Sequence, residues 1–86
     1  MSRRFHKPVV IQPGRIDRDR VVSTVREAAQ ILLRDWPHES DKRTRAMRAC
    51  LDVINGHKPA SRARKAFIAA AKDARIYLGE YDLEPP

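Results

Sequence analysis

Turn-forming residues cut this chain of 86 residues into short pieces, and that division limits its fold more than any other feature. The breaks stand at Pro13-Gly14, Trp36-Pro37, Asn55-Gly56, Pro59 and Gly79. Proline lacks a backbone N–H and glycine readily takes a left-handed backbone, so both interrupt regular structure. A chain of this length supports one hydrophobic core. We therefore predict a single domain over residues 1–80 that is assembled from short elements.

The first two pieces predict a β-hairpin. β-Branched side chains are concentrated in residues 8–12 and again in residues 19–23, with a polar connection between them that opens on a Pro-Gly turn signal. Val9 and Ile11 should face one side of the hairpin and Val10 the other. Because two strands alone are only marginally stable in water, the hairpin must pack against other elements.

A first helix is predicted over residues 24–36. Thr24, followed three residues later by Glu27, fits a capping box, in which each side chain satisfies a backbone N–H at the helix start. Apolar residues then recur at helical spacing until Pro37 ends the helix. The apolar arc is wide, which is typical of a helix with neighbours on both flanks.

Two more helices are predicted over residues 41–55 and 59–78. Ser40 or Asp41 can cap the first of them, and Asn55-Gly56 provides its left-handed stop, while Pro59 suits the first turn of the second. The predicted inner face of the last helix is mostly alanine, with Phe67 as its main anchor and Leu78 at its end. The predicted core of the whole chain consists of Val25, Ala29, Leu32, Trp36, Met47, Cys50, Leu51, Ile54, Phe67 and Ala71.

This order of elements predicts the α+β class, with an N-terminal two-stranded antiparallel hairpin packed on three helices (β-β-α-α-α). Residues 81–86 are expected to form an extended acidic tail. No apolar run approaches the roughly 18 residues of a membrane span, and no secretory signal segment follows the basic N-terminus. We therefore expect a cytoplasmic location and no membrane partner.

Several short motifs are similar to those of a known family. They are Pro8-Val9-Val10-Ile11, Ala28-Ala29, Leu32-Leu33, Trp36-Pro37, Ala46 with Cys50 and Gly56, Ala63-Arg64, Phe67-Ile68 and Ala70-Ala71. Over residues 5–76 the chain resembles domain of unknown function family 982, a family of short uncharacterised alphaproteobacterial proteins. The resemblance implies a compact stand-alone cytoplasmic protein, and it supplies no catalytic or binding residues to carry over.

The residue types that metal sites and catalysis need are scattered along the chain. The three histidines and Cys50 all lie more than six residues apart, and no zinc-ligand spacing occurs. The lone cysteine cannot form an internal disulfide, and its predicted burial makes it a poor nucleophile. Paired carboxylates and a glycine-rich phosphate loop are also missing. We therefore expect no metal, no cofactor and no enzymatic activity.

The net charge of +7 is concentrated in two places. Residues 1–20 hold six basic and two acidic side chains, residues 59–78 hold five and one, and residues 79–86 hold three acids and no base. Basic and outward-facing apolar residues of the last helix together form the predicted binding surface. Its members are Arg62, Arg64, Lys65, Ile68, Lys72, Arg75 and Ile76.

Two functions fit this surface. Outward isoleucines among the arginines, together with the unpaired edges of the hairpin, favour association with an unknown protein partner or with a second copy as a homodimer. The alternative is sequence-independent binding of nucleic acid or another polyanion through the basic N-terminus and the last helix. Because few aromatic residues are free to stack on bases, protein–protein association is the first prediction.

Overall fold

The computed structural model describes residues 3–14 and 19–80, which form three strands and three helices. In chain order these are β1 (Arg4–Ile11), β2 (Arg20–Thr24), α1 (Val25–Arg34), α2 (Asp41–Ile54), α3 (Ala60–Asp73) and β3 (Tyr77–Glu80). The α+β class and the predicted order of hairpin and helices are confirmed, and a third strand follows the last helix. The predicted acidic tail, residues 81–86, lies outside the described residues, as does part of the connection between the first two strands.

β1 is the central strand of an antiparallel sheet with the order β2-β1-β3. Val9 lies opposite Val22 of β2, and Val10 lies opposite Val21. Val9 and Ile11 are fully buried whereas Val10 is half-buried, so the predicted alternation of the hairpin is confirmed. β3 pairs with the edge of β1 that the predicted hairpin leaves open.

The predicted helix over residues 59–78 is wrong at its C-terminal end, because α3 stops at Asp73. Arg75 takes a left-handed backbone, with φ 61°, and turns the chain. The N–H of Ile76 donates to the Ala71 carbonyl (3.0 Å), and the N–H of Arg75 bonds to a carbonyl of the last turn (3.1 Å). This is the hydrogen-bond pattern of a Schellman motif, and the burial of Ile76 that accompanies it helps to offset the positive φ of a non-glycine residue. The chain is thereby released from the helix in time to form β3.

Side-chain caps begin the first two helices where the sequence places them. Thr24 Oγ1 accepts a hydrogen bond from the backbone N–H of Glu27 (3.1 Å) and donates one to its carboxylate (3.2 Å). Among the described residues the Glu27 carboxylate bonds to this hydroxyl and not to a backbone N–H, so the Thr24 half of the capping box is confirmed and the Glu27 half is not. Ser40 caps α2 by accepting a hydrogen bond from the N–H of Arg43 (3.1 Å). Both caps act within one turn of the helix, so local sequence is enough to predict them.

The core fills the space between one face of the sheet and the helices. Phe67 is fully buried, and its ring centroid lies 6.5 Å from that of Phe5 and 5.6 Å from that of Trp36. Most of the predicted core is confirmed: Val25, Leu32, Cys50, Phe67 and Ala71 are fully buried, and Ala29, Trp36, Met47 and Ile54 pack against the core while partly buried.

Two leucines that the sequence places on inner helix faces are half-exposed instead. Leu51 is a wrong member of the predicted core, since it lies about 100° around α2 from the buried Cys50. Leu78 is not in a helix at all, because it follows the turn at Arg75 and belongs to β3. The exposure of Leu51 shows that the buried face of α2 is narrower than its apolar spacing predicts. The position of Leu78 shows that the last helix is shorter than predicted.

The helices cover one face of the sheet only. The structure is 17 Å thick along its shortest axis, which leaves room for one sheet and one layer of helices. Val21 projects to the other side from the fully buried Val22 and is 44 % exposed. Within the described ranges, no helix is long and apolar enough to cross a membrane.

Candidate functional site

A basic groove, here called the α2–α3 groove, runs along the surface between these two helices. It has a volume of about 520 Å³. Among the described residues, five of its lining side chains are cationic and one is anionic, so this lining has a net charge of five minus one, +4. The lining residues are Lys42, Arg45, Ala49 and Asp52 from α2, Lys58 from the connection, and Arg62, Lys65, Ala66 and Ala69 from α3.

Helical periodicity brings these residues together on the outside of the helical layer. The core-facing stripe of α2 is Ala46, Cys50 and Val53. The cationic lining residues of both helices are exposed and lie outside such buried positions, so they face away from the core, whereas the half-buried Ala66 also packs against it. Because only residues 55–59 connect the helices, α2 and α3 are antiparallel neighbours and their outer faces lie side by side.

The groove cations have no partners within the described chain. None of the five takes part in an ion pair or a side-chain hydrogen bond among residues 3–14 and 19–80. All five side chains are exposed. Neighbouring like charges repel one another, and an anion seated between them interacts favourably with each. The groove is therefore electrostatically complementary to an anionic ligand.

Alanines form the apolar part of the groove. Ala49, Ala66 and Ala69 are half-buried, so some of their apolar surface is in contact with solvent. Their small side chains allow another segment to approach the helices closely. No aromatic side chain of the described residues lines the groove. Its chemistry is thus apolar contact combined with cationic side chains.

The start of α3 adds positive potential at one end of the groove. Pro59 is the N-cap residue and provides no side-chain hydrogen bond, and the first turn holds no acidic residue. The first N–H groups of a helix and its dipole favour negative charge nearby. Lys58 and Arg62, which flank this helix start in sequence, both line the groove. The N-terminus of α3 and the side chains of Lys58 and Arg62 therefore both make the electrostatic potential at this end of the groove more positive.

The predicted binding surface of the last helix is divided among different environments. Arg62 and Lys65 line the groove. Arg64 and Ile76 are each 8 % exposed, so the prediction that they lie on an outward surface is wrong. The other three residues lie apart from the groove lining. Ile68 is partly buried and packs against the core, and Lys72 Nζ lies 5.2 Å from the centroid of the Tyr77 ring. Arg75 forms the turn after α3.

Arg64 joins α3 to two strands of the sheet. Its Nε donates to the Lys7 carbonyl of β1 (2.9 Å), and its Nη2 donates to a carboxylate oxygen of Glu80 in β3. Lys7 Nζ lies 4.0 Å from the other Glu80 oxygen. The hydrogen bond from Arg64 is the main reason that the pKa of Glu80 lies below its usual value; loss of hydration opposes this shift, and the electrostatic effects of Arg64, Lys7 and His6 add to it. Arg64 is therefore a structural residue.

Cations near the N-terminus also have partners within the fold. Arg3 Nη2 donates to the Ile54 carbonyl at the end of α2 (2.8 Å). Arg20 Nη1, at the start of β2, lies 3.2 Å from a carboxylate oxygen of Asp35 at the end of α1. These contacts hold the hairpin to the helices. The groove cations differ from them in having no such partner in the part of the chain that the structure describes.

The part of the groove outside α3 is not among the residues predicted from the sequence. Lys42, Arg45 and Lys58 are not in the predicted surface, although they supply three of its five cations. Their signal in the sequence is the spacing of Lys42 and Arg45, which puts both on the outer side of α2. Combined with the short connection to the next helix, that spacing places them beside the polar face of α3.

Charged and small apolar side chains make up the described lining of the groove. Over residues 3–14 and 19–80, this lining consists of lysine, arginine, alanine and one aspartate, without a hydroxyl, thiol or imidazole. Burial raises the pKa of the Cys50 thiol to about 12, so this side chain is a protonated, inaccessible thiol at neutral pH. Among the described residues, no three His, Cys, Asp or Glu side chains are grouped so that they could hold a metal ion.

Comparisons with known proteins identify relatives of this chain. The sequence model of a family described as "Protein of unknown function (DUF982)" matches residues 7–78, which confirms the resemblance seen in the sequence. The NMR structure of the Agrobacterium tumefaciens protein Atu1219 is similar in fold, with a TM-score of 0.74 and 28 % sequence identity. That similarity covers 96 % of this chain and 83 % of the other. No curated protein matches the chain.

Proposed function

Because this chain belongs to the DUF982 family of proteins of unknown function, we propose a role for it from the chemistry of its own groove. It is a non-enzymatic cytoplasmic protein that acts by binding another protein, and an acidic segment of that partner lies in the α2–α3 groove. One observation carries this proposal: five cations without partners in the described chain surround accessible alanines in a groove of about 520 Å³.

The alanines favour a protein partner over nucleic acid. A phosphate backbone pairs with lysine and arginine but gains nothing from Ala49, Ala66 and Ala69. Single strands usually obtain affinity by stacking bases on aromatic side chains, and the described part of the groove lining contains none. A protein segment with acidic and apolar side chains uses both parts of the groove, since hydrophobic contact and charge pairing then occur together.

The charge of the groove determines how the proposal is tested. Arg45→Glu combined with Arg62→Glu reverses two groove cations. Arg26→Glu combined with Arg48→Glu makes the same change in net charge at two exposed arginines outside the groove lining, and serves as the matched control. Each protein, immobilised, is used to capture partners from native cell extract with and without nuclease treatment.

We expect wild-type protein and the control variant to retain the same partner after nuclease treatment, and the groove variant to lose it. The partner, once identified and purified, should bind the wild-type protein directly and the groove variant at least about tenfold more weakly, a difference of ~1.4 kcal/mol. Capture that disappears with nuclease indicates nucleic acid and contradicts the proposal. Equal capture by the groove and control variants contradicts it too.

Self-association is a second function that one observation favours. Within the described residues, nothing covers the outer face of the sheet, where Val10 is half-buried and its cross-strand neighbour Val21 is about half-exposed. A second copy that packs against this face would remove these side chains from water. Sedimentation at low and high micromolar concentration should detect a dimer that Val21→Lys abolishes. A monomer at every concentration contradicts self-association and leaves the groove proposal intact.

A further inference from the structure

We infer that the segment seated in the α2–α3 groove is an amphipathic α-helix, with acidic side chains on both sides of a narrow apolar stripe. This inference rests on the proposed function and specifies the conformation of the partner. It follows from the arrangement of cations on the two helices, from the backbone hydrogen bonds already made by the groove surface, and from the length of the groove.

The cations are distributed over both walls of the groove. Lys42 and Arg45 belong to α2, and Arg62 and Lys65 belong to α3. Each pair is spaced by three residues, which is close to one helical turn, so both walls repeat with nearly the same period. A helix lying between them presents side chains with that period to both walls. Acidic residues on both flanks of its apolar stripe can therefore pair with α2 and α3 together.

The groove surface offers few hydrogen bonds to a backbone. Ala49, Ala66 and Ala69 lie within regular helices, where backbone N–H and C=O groups are already bonded one turn away. An extended segment that packed on these alanines would lose water from its own N–H and C=O groups without replacement, which is unfavourable. A helix satisfies those groups internally. The alanine surface therefore favours a helical segment over an extended one.

The groove has the dimensions that helix packing requires. Lys42 and Asp52 are ten residues apart on α2, which corresponds to a length of about 15 Å, or roughly three turns of a docked helix. Helices pack with axes about 8–10 Å apart, and small residues at the contact allow the closer end of that range. Three half-buried alanines give leucine-sized side chains of the partner a place to pack.

Synthetic peptides test this inference directly. The first, here called the striped peptide, has about 16 residues and blocked ends, which is long enough for marginal helicity. Its leucines recur at helical spacing and form an apolar stripe, and glutamates lie on both sides of that stripe. The second has the same composition in an order that destroys the stripe. The third is the first with a proline at its centre, which breaks the helix. Affinity is measured by calorimetry, and helix formation by circular dichroism of the mixture.

We expect the striped peptide to bind at least tenfold more tightly than the scrambled and proline peptides, and to gain helicity when it binds. Ala66→Phe, which fills the apolar part of the groove without changing its charge, should remove this preference. Ala69→Phe is a second variant with the same purpose, should the first fail to fold. Arg45→Glu with Arg62→Glu should abolish binding of all three peptides.

The outcomes separate this inference from the proposed function. Equal affinity for the striped and scrambled peptides, lost in the Arg45→Glu, Arg62→Glu variant, overturns the helical partner and retains an acidic protein segment as the ligand. Failure of every peptide to bind the wild-type protein, while a DNA duplex of equal charge binds it, contradicts both. An unchanged preference in Ala66→Phe and Ala69→Phe overturns packing on the alanines.

Discussion

The two faces of α3 use the same side chain in opposite ways. Arg64 lies against the sheet, where the Lys7 carbonyl and the Glu80 carboxylate accept its hydrogen bonds. Arg62, half a turn earlier, lines the α2–α3 groove and has no partner in the described chain. An arginine in a sequence is thus evidence of a binding surface only after its burial and partners are known. We expect changes at inner positions of α3 to affect stability, and changes at outer positions to affect binding.

The largest effect should come from the inner face. Phe67→Ala removes the fully buried ring between Phe5 and Trp36 and leaves a cavity, so the free energy of unfolding should fall by about 3–5 kcal/mol. Urea denaturation measures this loss. Ile68→Ala, at the next and only partly buried position, is the control and should lose less. An equal loss at both positions would remove the distinction between the two faces.

Arg64→Ala should have the next largest effect. It leaves the Lys7 carbonyl and Glu80 without their donor, and we expect a loss of about 1–3 kcal/mol in the free energy of unfolding. Arg62→Ala, the matched change on the outer face, should stay within about 0.5 kcal/mol of wild type. Affinity for the striped peptide should fall only in Arg62→Ala. A stable Arg64→Ala variant would show that the contacts of Arg64 with the strands are dispensable.

Acid should weaken the link between α3 and β3. The pKa of Glu80 is held below its usual value in the folded protein, chiefly by the hydrogen bond from Arg64. A carboxyl group with a lowered folded pKa stabilises the fold above its unfolded pKa of about 4.3, and this contribution is lost as the pH falls through the folded value. Wild type should therefore exceed Glu80→Gln in stability at pH 7 by more than at pH 3. A constant difference across this range contradicts the role of the ionised carboxylate.

The smallest effect on stability should come from the outer face. Arg62→Glu and Lys65→Glu change exposed residues without partners in the described chain, and each should alter the free energy of unfolding by about 0.5 kcal/mol or less. Their combined effect on affinity for an acidic ligand should nevertheless be at least about tenfold, or ~1.4 kcal/mol. Thermal unfolding and calorimetry of the same samples check both parts. A strong loss of stability in the double variant would show that these side chains stabilise the fold, as Arg64 does.

Local signals in the sequence predict much of this fold. The caps at Thr24 and Ser40 and the alternation of Val9, Val10 and Ile11 depend on neighbouring residues, and all of them are confirmed. β3 depends on a partner distant in sequence, because its backbone bonds to β1. The turn that precedes it uses Arg75 in a conformation for which glycine is the usual signal. The sequence therefore predicts a longer helix in place of this strand.

The same physical limit applies to the candidate site. Arg62 and Lys65 can be predicted from the polar face of one helix, and both line the groove. Arg64 donates a hydrogen bond to Glu80, and Glu80 lies in the strand that the sequence does not predict, so the inward position of Arg64 is not predicted either. The contribution of Lys42 and Arg45 follows from the packing of α2 beside α3. Properties that belong to a pair of elements are thus the ones that single-helix periodicity does not reveal.

The central claim is that the α2–α3 groove is the binding site, and a titration of ¹⁵N-labelled protein with the striped acidic peptide tests it most directly. Amide shifts should change at Ala49, Ala66 and Ala69 and at the cationic residues beside them. They should stay unchanged around Val10 and Val21 on the outer face of the sheet, and the response should disappear in Arg45→Glu with Arg62→Glu. Shifts centred on the sheet, or shifts that persist in this variant, would contradict the account.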